Sequence, residues 1–208
     1  MEFAQLLTRG IEKLGLNVSA ENQLKLMKYL ALLNKWNNVY NLTAIRSQQQ
    51  MVTHHLLDSL SILPNLRSGN CLDVGCGAGL PGIILAIAKP ECDFTLIDSN
   101  GKKTSFVRQA VIELDINNVE IITERIEAWV TQEKFNCIIS RAFANTSEFV
   151  RLTRRLIAKN GHWLAMKGEA GEELKNLPAG IEIETLISLQ VPEIDASRSV
   201  VILKERNG

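Results

Sequence analysis

Beyond Asn70 the chain alternates short apolar runs with longer amphipathic stretches, which leaves few folds open to it. The apolar runs include CLDVG, DFTLID, VEIIT, FNCIIS and HWLAMK, and stretches such as GKKTSFVRQAVIELD and TSEFVRLTRRLIAK lie between them. This alternation is typical of repeated βαβ units, in which helices cover both faces of a parallel sheet. The last two runs, IEIETLISLQV and SRSVVILKE, leave no room for a helix between them. They are predicted to pair antiparallel at one edge of the sheet.

The first third of the chain has a different period. Apolar residues such as Leu24, Met27 and Leu30 recur at three- and four-residue steps, which predicts helices up to about residue 66. The stretch PNLRSGN, residues 64–70, then breaks the pattern. We therefore predict an N-terminal helical region over residues 1–66 and an α/β domain over residues 67–208.

Composition restricts the functional class only weakly. The chain has 23 Lys and Arg against 23 Asp and Glu, so its net charge gives no general attraction to nucleic acid. No apolar run reaches the roughly 18 residues of a membrane span, and the segment MEFAQLLTRG does not resemble a signal peptide. The four cysteines lack C-x-x-C spacing and are predicted to be buried, reduced thiols. We expect a cytoplasmic protein without a metal site.

The first apolar run leads into a loop that is nearly bare of side chains. Residues 71–82 read CLDVGCGAGLPG and contain four glycines, with Pro81 near the start of the predicted helix. Glycines in a strand-to-helix turn let a ligand approach the backbone closely, and N–H groups at the helix N-terminus can face it. We therefore predict a ligand-binding loop rather than a purely structural turn.

Two classes of ligand compete for this loop. Gly77, Gly79 and Gly82 match the G-x-G-x-x-G pattern of dinucleotide-binding folds, and Asp98 ends the next strand about 20 residues on, where a ribose would bind. Asp73 disfavours a dinucleotide, because a carboxylate beside the loop would repel pyrophosphate. S-adenosylmethionine carries an ammonium and a sulfonium but no phosphate, so it suits Asp73, and its ribose hydroxyls suit Asp98. We favour S-adenosylmethionine and keep NAD(P) as the alternative.

The segment ITERIEAWV follows the third predicted strand, where such folds contact adenine. Ile126 can cover the ring, and Glu127 or a backbone carbonyl can accept a hydrogen bond from the exocyclic amine. The same two residues are predicted to open a helix, where an acid complements the helix dipole without any ligand. Both interpretations stay open.

The fourth strand delivers residues 140–144, SRAFA, to the end of the sheet where open α/β folds bind ligands. Arg141 can meet a cofactor carboxylate, a substrate phosphate or a guanine edge. The alternative for this arginine is a structural ion pair.

Four further basic residues are predicted near the same rim as substrate contacts, namely Lys102, Lys103, Lys167 and Arg198. The zero net charge conceals an asymmetry, since residues 134–167 contain seven Lys and Arg and one acid, whereas residues 168–208 contain four and eight.

His54, His55 and Asp58 lie within one turn of each other in THHLLDS. Only one further histidine, His162, is present, so we disfavour a metal site. We expect instead a His–Asp hydrogen bond that fixes this helix against the main domain.

Six stretches together resemble one protein family. They are WNNVYNLTAI (36–45), HHLLDSL (54–60), DVGCGAGLPG (73–82), LIDSNGKK (96–103), ERIE (124–127) and SRAFA (140–144). In this order they are similar to the RsmG (GidB) family of bacterial ribosomal RNA small-subunit methyltransferase G, across essentially the whole chain. The resemblance implies the class I S-adenosylmethionine-dependent methyltransferase fold. This is a Rossmann-like, mostly parallel seven-stranded sheet with an antiparallel last strand, here preceded by an N-terminal helical extension.

The resemblance also implies methylation of N7 of a guanine in the 530 loop of bacterial 16S ribosomal RNA, within the small subunit. By motif, cofactor binding carries over to Gly75, Leu80, Asp98, Ile126 with Glu127, and Arg141. These residues join those that the loop itself suggests, namely Asp73, Gly77 and Gly79.

Guanine N7 has a lone pair that is unprotonated at neutral pH, so no general base is required, and we assign Arg141 to orienting the reactants. The alternatives are a small-molecule methyltransferase, which the sequence pI of about 6.8 would favour, an NAD(P)-dependent oxidoreductase, and an RNA-binding module without catalysis. We expect a monomer that does not bind membranes.

Overall fold

The computed structural model describes residues 2–141, 143, 145–168 and 171–206 of the 208-residue chain. Within these residues seven strands form one sheet. The strands are β1 (Cys71–Val74), β2 (Phe94–Ile97), β3 (Val119–Ile122), β4 (Phe135–Ser140), β5 (Ile157–Lys167), β6 (Ile181–Ser188) and β7 (Ser199–Glu205). Their spatial order is β3-β2-β1-β4-β5-β7-β6.

Helices precede the sheet and connect its parallel strands. The α-helices are α1 (Glu2–Lys13), α2 (Ala20–Tyr40), α3 (Gln48–Met51), α4 (Asp58–Leu60), α5 (Gly82–Ala88), α6 (Gly101–Glu113) and α7 (Thr146–Thr153). A π-helical segment, Val52–Leu57, joins α3 to α4, and short 3-10 helices span Leu63–Asn65, Arg154–Leu156 and Glu172–Asn176. The predicted helical start of the chain is confirmed.

The sheet has the predicted direction of strands. Neighbouring pairs among β1 to β5 are parallel, whereas β7 is antiparallel to both β5 and β6. β2, β1 and β4 are adjacent and parallel, so their carboxyl ends lie at the same edge of the sheet. This arrangement confirms the class I methyltransferase fold predicted from the sequence.

The N-terminal helices pack onto the same core as the sheet. The Ser19 hydroxyl caps α2 by accepting a hydrogen bond from the Asn22 N–H at 3.1 Å, and the helix ends at Asn41, which is left-handed with φ 51°. Buried Leu26 of α2 belongs to one hydrophobic cluster with Leu85 of α5 and with Leu96 of β2. The division into regions 1–66 and 67–208 stays a prediction.

One predicted boundary was wrong. The sequence pattern extended the helix to Lys159 and began the fifth strand at His162, but α7 ends at Thr153 and β5 begins at Ile157. The reason is a long-range contact, since Ile157 pairs with Phe135 of β4. Strand pairing therefore overrides the local helical pattern.

All four cysteines are buried with free thiols, as predicted. None of the helices in the described part of the chain combines the length and hydrophobicity that crossing a bilayer requires. Among the same residues, no group of three or more His, Cys, Asp or Glu side chains is arranged to hold a metal ion.

Candidate functional site

The glycine loop between β1 and α5 forms the floor of the candidate site. Gly75, Gly77 and Gly79 have φ values of 72°, 58° and 86°, in the left-handed region that residues with a Cβ rarely adopt. A Cβ on Gly82 would lie 2.7 Å from Asp73 Oδ2. The loop therefore needs glycine for its backbone path at three positions and for space at the fourth.

The loop uses its own N–H groups internally. The Gly75 N–H donates to the Ile97 carbonyl at 2.8 Å, and the Gly77 N–H donates to Asp98 Oδ2 at 2.9 Å. At the start of α5, the Gly82 N–H donates to Asp73 Oδ2 at 2.8 Å. A carboxylate thus already occupies the place where a dinucleotide-binding loop would receive pyrophosphate.

Asp73 is fully buried beneath this loop. Its Oδ1 atom has no hydrogen-bond partner among the described residues. Burial raises the pKa of Asp73 to about 7, although the Gly82 N–H and the nearby Arg141 oppose the rise. A cationic ligand group near Oδ1 would stabilise the ionised form, so Asp73 suits an ammonium or a sulfonium.

A cavity of about 220 Å³ opens beside the loop and brings together several of the residues predicted to bind the cofactor. Its lining includes Gly75, Asp98, Ile126 and Glu127. Asp98 lies between two backbone donors, since Oδ2 accepts from Gly77 and Oδ1 accepts from the Asn100 N–H at 2.8 Å. A carboxylate has about four acceptor positions, so these bonds leave capacity for ribose hydroxyls.

Ile126 and Glu127 lie in a turn, so the prediction that they open a helix was wrong. The N–H groups of Ala128 and Trp129 both donate to the Arg125 carbonyl at 3.0 Å. The Arg155 guanidinium donates to the carbonyls of Ile126 and Trp129, each at 2.7 Å, and so holds this turn from a distant part of the chain. Ile126 itself is buried at the cavity wall.

A second cavity, of about 380 Å³, lies beside Arg141 and is also lined by Lys167 and Arg198. Arg141 Nη1 donates to the His54 carbonyl at 3.0 Å and to Asp58 Oδ2 at 3.2 Å. Arg198 Nε donates to the other oxygen of Asp58 at 3.1 Å. Arg141 therefore takes part in an ion pair, as one of its two interpretations required.

The predicted His–Asp hydrogen bond was wrong. His55 Nε2 pairs with the Thr43 hydroxyl at 3.0 Å, and His54 Nδ1 pairs with the Thr53 hydroxyl at 2.7 Å. Burial and the nearby Arg141 lower the pKa of His55 to about 4, so its ring is neutral at pH 7. A neutral ring attracts Asp58 less than two guanidinium groups do.

The lysines predicted to contact the substrate do not all lie at the site. Lys167 Nζ donates to the Phe143 carbonyl at 2.8 Å at the wall of the larger cavity. Lys102 and Lys103 begin α6, where their backbone N–H groups donate to Asn100 Oδ1, and they line neither cavity of the described site. Within SRAFA, Ala142 and Ala144 lie outside the described residues.

The sequence analysis missed the contacts of two site residues, Asp58 and Tyr29. Asp58 was noticed only as a partner for histidine, although it holds both arginines. Tyr29 of α2 was not singled out at all, yet its hydroxyl donates to the Ala78 carbonyl in the glycine loop at 2.6 Å. No local pattern marks either contact.

Comparison with known proteins identifies the family. A family model described as rRNA small subunit methyltransferase G matches residues 22–201. The ribosomal RNA small subunit methyltransferase G of Laribacter hongkongensis is 48% identical over 204 residues, covering 98% of this chain and 99% of that protein. The chain belongs to the rRNA small subunit methyltransferase G family. The methyltransferase G of Methylobacillus flagellatus is 50% identical over 202 residues, covering 97% of this chain and 98% of that protein.

Solved methyltransferase structures of low sequence identity have the same fold. The N-methyltransferase NodS from Bradyrhizobium japonicum, in complex with S-adenosyl-L-homocysteine, superposes with a TM-score of 0.57 at 15% identity, covering 86% of this chain and 98% of that one. An rRNA methylase from Streptococcus thermophilus gives 0.52 at 14% identity, covering 73% and 95%. The fold and the family predicted from the six sequence stretches are both confirmed.

Proposed function

We propose that this protein transfers the methyl group of S-adenosylmethionine to N7 of a guanine in the 530 loop of 16S ribosomal RNA, in the small ribosomal subunit. The observation that carries the proposal is the family match over residues 22–201, which includes both the helices and the strands that line the two cavities. The substrate named for the relatives is the small-subunit ribosomal RNA. We place the reaction in the cytoplasm, carried out by a monomer.

The chemistry of the smaller cavity supports S-adenosylmethionine over a dinucleotide. Asp73 has an unpartnered, buried oxygen that suits a cationic group, and its other oxygen already takes the first N–H of α5. Asp73 lies beneath the loop rather than in the cavity lining, whereas Asp98 and Ile126 line the cavity, and we assign them to the ribose and the adenine. When bound, this cofactor supplies a methyl group on a sulfonium, which is the electrophile of the reaction.

The protein then has to position the reactants rather than move protons. Guanine N7 has a free lone pair, so no residue needs to act as a base. Holding two reactants in line can contribute roughly 7–11 kcal/mol in favourable systems. As positive charge passes to the purine, a cation in contact with it would oppose the reaction. We therefore assign Arg141, held by Asp58, to orienting the reactants.

We propose that Lys167 and Arg198 contact the RNA from the wall of the larger cavity, and that Lys102 and Lys103 contact it from α6. Because the net charge is zero, these local contacts must act together with recognition of a folded RNA shape. We infer that the assembled small subunit is a better substrate than protein-free 16S RNA. Equal turnover on the two substrates would contradict this inference.

The deciding experiment measures transfer of labelled methyl from S-adenosylmethionine to small subunits purified from a strain that lacks the enzyme. Mass analysis of the nucleosides should find N7-methylguanosine in 16S RNA. Asp73→Ala and Gly75→Asp should abolish the product, and Arg141→Ala should lower turnover or cofactor affinity.

Three other outcomes would favour a different function for the protein. Cofactor binding without incorporation into any ribosomal RNA would favour a small-molecule acceptor. Thermal stabilisation by NAD(P)H but not by S-adenosylmethionine would favour an oxidoreductase. Intact RNA binding with no methyl transfer would favour an RNA-binding module.

A further inference from the structure

The hydroxyl of Tyr29 reaches the glycine loop from outside the sheet domain. Tyr29 lies in the middle of α2, is fully buried, and donates to the Ala78 carbonyl at 2.6 Å. Ala78 lies between Gly77 and Gly79, the two glycines whose left-handed backbone shapes the loop. One side chain of the N-terminal helices is thus bonded to the centre of the candidate cofactor loop.

The loop has few other means of fixing this peptide. Gly77, Ala78 and Gly79 offer one methyl group between them, that of Ala78, which packs in the hydrophobic core, so hydrogen bonds must fix the rest of the segment. The Gly77 N–H donates to Asp98, and the Gly79 N–H donates to the Cys76 carbonyl at 2.8 Å. Tyr29 holds the carbonyl that lies between these two amides.

Tyr29 is itself held firmly. Its ring centroid is 6.0 Å from that of Phe106 in α6, and the Phe106 centroid lies 5.7 Å from that of Trp36, about two turns further along α2. Aromatic pairs at such distances contribute beyond their buried area. The hydroxyl therefore reaches Ala78 from a rigid support rather than from a flexible side chain.

The phenol remains a donor throughout the neutral range. Burial raises the pKa of Tyr29 well above its ordinary value, and Arg141 offsets that rise only in part. Cys76 and Asp73 raise the pKa further. The bond to Ala78 is therefore not interrupted by titration of the tyrosine.

We propose that Tyr29 is a positioning residue of the cofactor loop, which fixes the peptide between Ala78 and Gly79 and so sets the affinity for the methyl donor. The inference rests on the proposed function, because it assumes that the loop binds S-adenosylmethionine. The residue acts through the loop backbone, and it makes the N-terminal helices part of the cofactor site.

The test compares Tyr29→Phe with a matched control on the same helix, Tyr40→Phe, at a residue that is 46% exposed. Calorimetry should give a dissociation constant for S-adenosylmethionine that is about 3- to 10-fold higher in Tyr29→Phe, the size expected for one lost hydrogen bond. Tyr40→Phe should match the wild type. The KM for the cofactor should rise by the same factor, while the KM for small subunits stays unchanged.

Hydrogen exchange supplies a second readout that does not depend on activity. Amides of residues 75–80 should exchange faster in Tyr29→Phe, with α2 itself unchanged. Equal affinities and equal exchange in wild type and Tyr29→Phe would overturn the proposal. A rise in both KM values together with faster exchange along α2 would also overturn it, because it would indicate a general loss of structure.

Failure of the proposed function gives a different result. A wild-type protein that binds no S-adenosylmethionine by calorimetry would remove the proposed function and with it the assignment of Tyr29. A wild-type protein that binds the cofactor, beside a Tyr29→Phe variant that binds it equally well, would remove only the assignment of Tyr29.

Discussion

Asp58 lies 3.2 Å from the guanidinium of Arg141, although 83 residues of chain separate them. The carboxylate is 6% exposed and the arginine side chain 26%. Arg198 approaches the other oxygen of the same carboxylate from the start of β7. One buried carboxylate of the N-terminal helices therefore orients two cations that the sheet contributes to the larger cavity.

Replacing this carboxylate should affect stability and turnover together. Asp58→Asn keeps the shape but leaves two partly buried guanidiniums without a counter-charge, so we expect the free energy of unfolding to fall by about 1–3 kcal/mol. Methyl transfer should fall about tenfold or more, because Arg141 loses its orientation. Urea denaturation and the transfer assay measure both effects.

The surface pair of Lys13 and Glu193, at 3.1 Å, provides the control. Glu193→Gln removes an exposed ion pair and should change the free energy of unfolding by less than about 1 kcal/mol, with activity unchanged. Similar effects of Asp58→Asn and Glu193→Gln would show that the buried carboxylate does no more than a surface one.

Binding of the methyl donor should depend on pH through Asp73. The pKa of this carboxyl is raised to about 7, so below pH 7 it is increasingly protonated and loses its attraction for a cationic group. We expect affinity for S-adenosylmethionine to rise between pH 5.5 and 7, by up to about tenfold per unit. Calorimetry across this range should show a much flatter profile in Asp73→Asn.

An exposed aspartate checks that the profile belongs to Asp73. Asp115→Asn alters a carboxylate at a turn that lines neither cavity of the site and should keep the wild-type slope. An Asp73→Asn profile as steep as that of the wild type would assign the pH dependence to another group.

Gly82 should tolerate no side chain. A Cβ there would lie 2.7 Å from Asp73 Oδ2 and 2.8 Å from Leu96 Cγ, so Gly82→Ala must displace β1 or β2 side chains from α5. We expect a loss of about 1–3 kcal/mol in the free energy of unfolding and at least a tenfold loss of cofactor affinity. Denaturation and calorimetry measure the two.

Gly101 is the matched control for that substitution. It opens α6 in the same way, but the nearest atom to its Cβ would be Thr123 Cγ2 at 3.9 Å, an ordinary contact. Gly101→Ala should be neutral or slightly stabilising. If Gly82→Ala behaved like Gly101→Ala, the close packing of α5 on Asp73 would be refuted.

His162 should make the protein sensitive to acid. The residue is fully buried, and burial together with nearby Arg67 lowers its pKa to about 4, although the Asn65 backbone opposes the fall. The unfolded chain takes up a proton near pH 6.5 and the folded protein does so only near pH 4. Stability is therefore retained above pH 6.5 and lost as the pH falls towards 4.

His162→Leu should reduce this dependence by up to about 1.4 kcal/mol per pH unit in that window. Urea denaturation of both proteins at several pH values isolates the effect, because His55 and Asp73 titrate in the same range in both. Parallel stability curves for the variant and the wild type would contradict the assignment.

Local patterns predicted the parts of the site that lie close together in sequence. The glycine loop follows β1 directly, and Asp98 follows β2, so a strand-loop-helix pattern places both at one end of the sheet. The edge pairing of β6 and β7 was equally visible, because too few residues separate the two runs for a helix.

The errors arose where distant residues decide the local structure. The turn at Ile126 is held by Arg155, which donates to its carbonyl, and the fifth strand starts early because Ile157 pairs with Phe135. Asp58 forms ion pairs with Arg141 and Arg198 rather than hydrogen bonds with its neighbouring histidines. Helical periodicity contains no information on such partners, which only the folded sheet brings within reach.

The position of β7 has a consequence for the protein during its own synthesis. This strand is the last described along the chain, yet it inserts between β5 and β6, and Arg198 directly precedes it. A nascent chain emerges from its N-terminus and contains Tyr29, the glycine loop and Asp58 long before it contains Arg198. The growing polypeptide therefore completes the pair of Asp58 with Arg198, and with it the wall of the larger cavity, only after the other strands have been made.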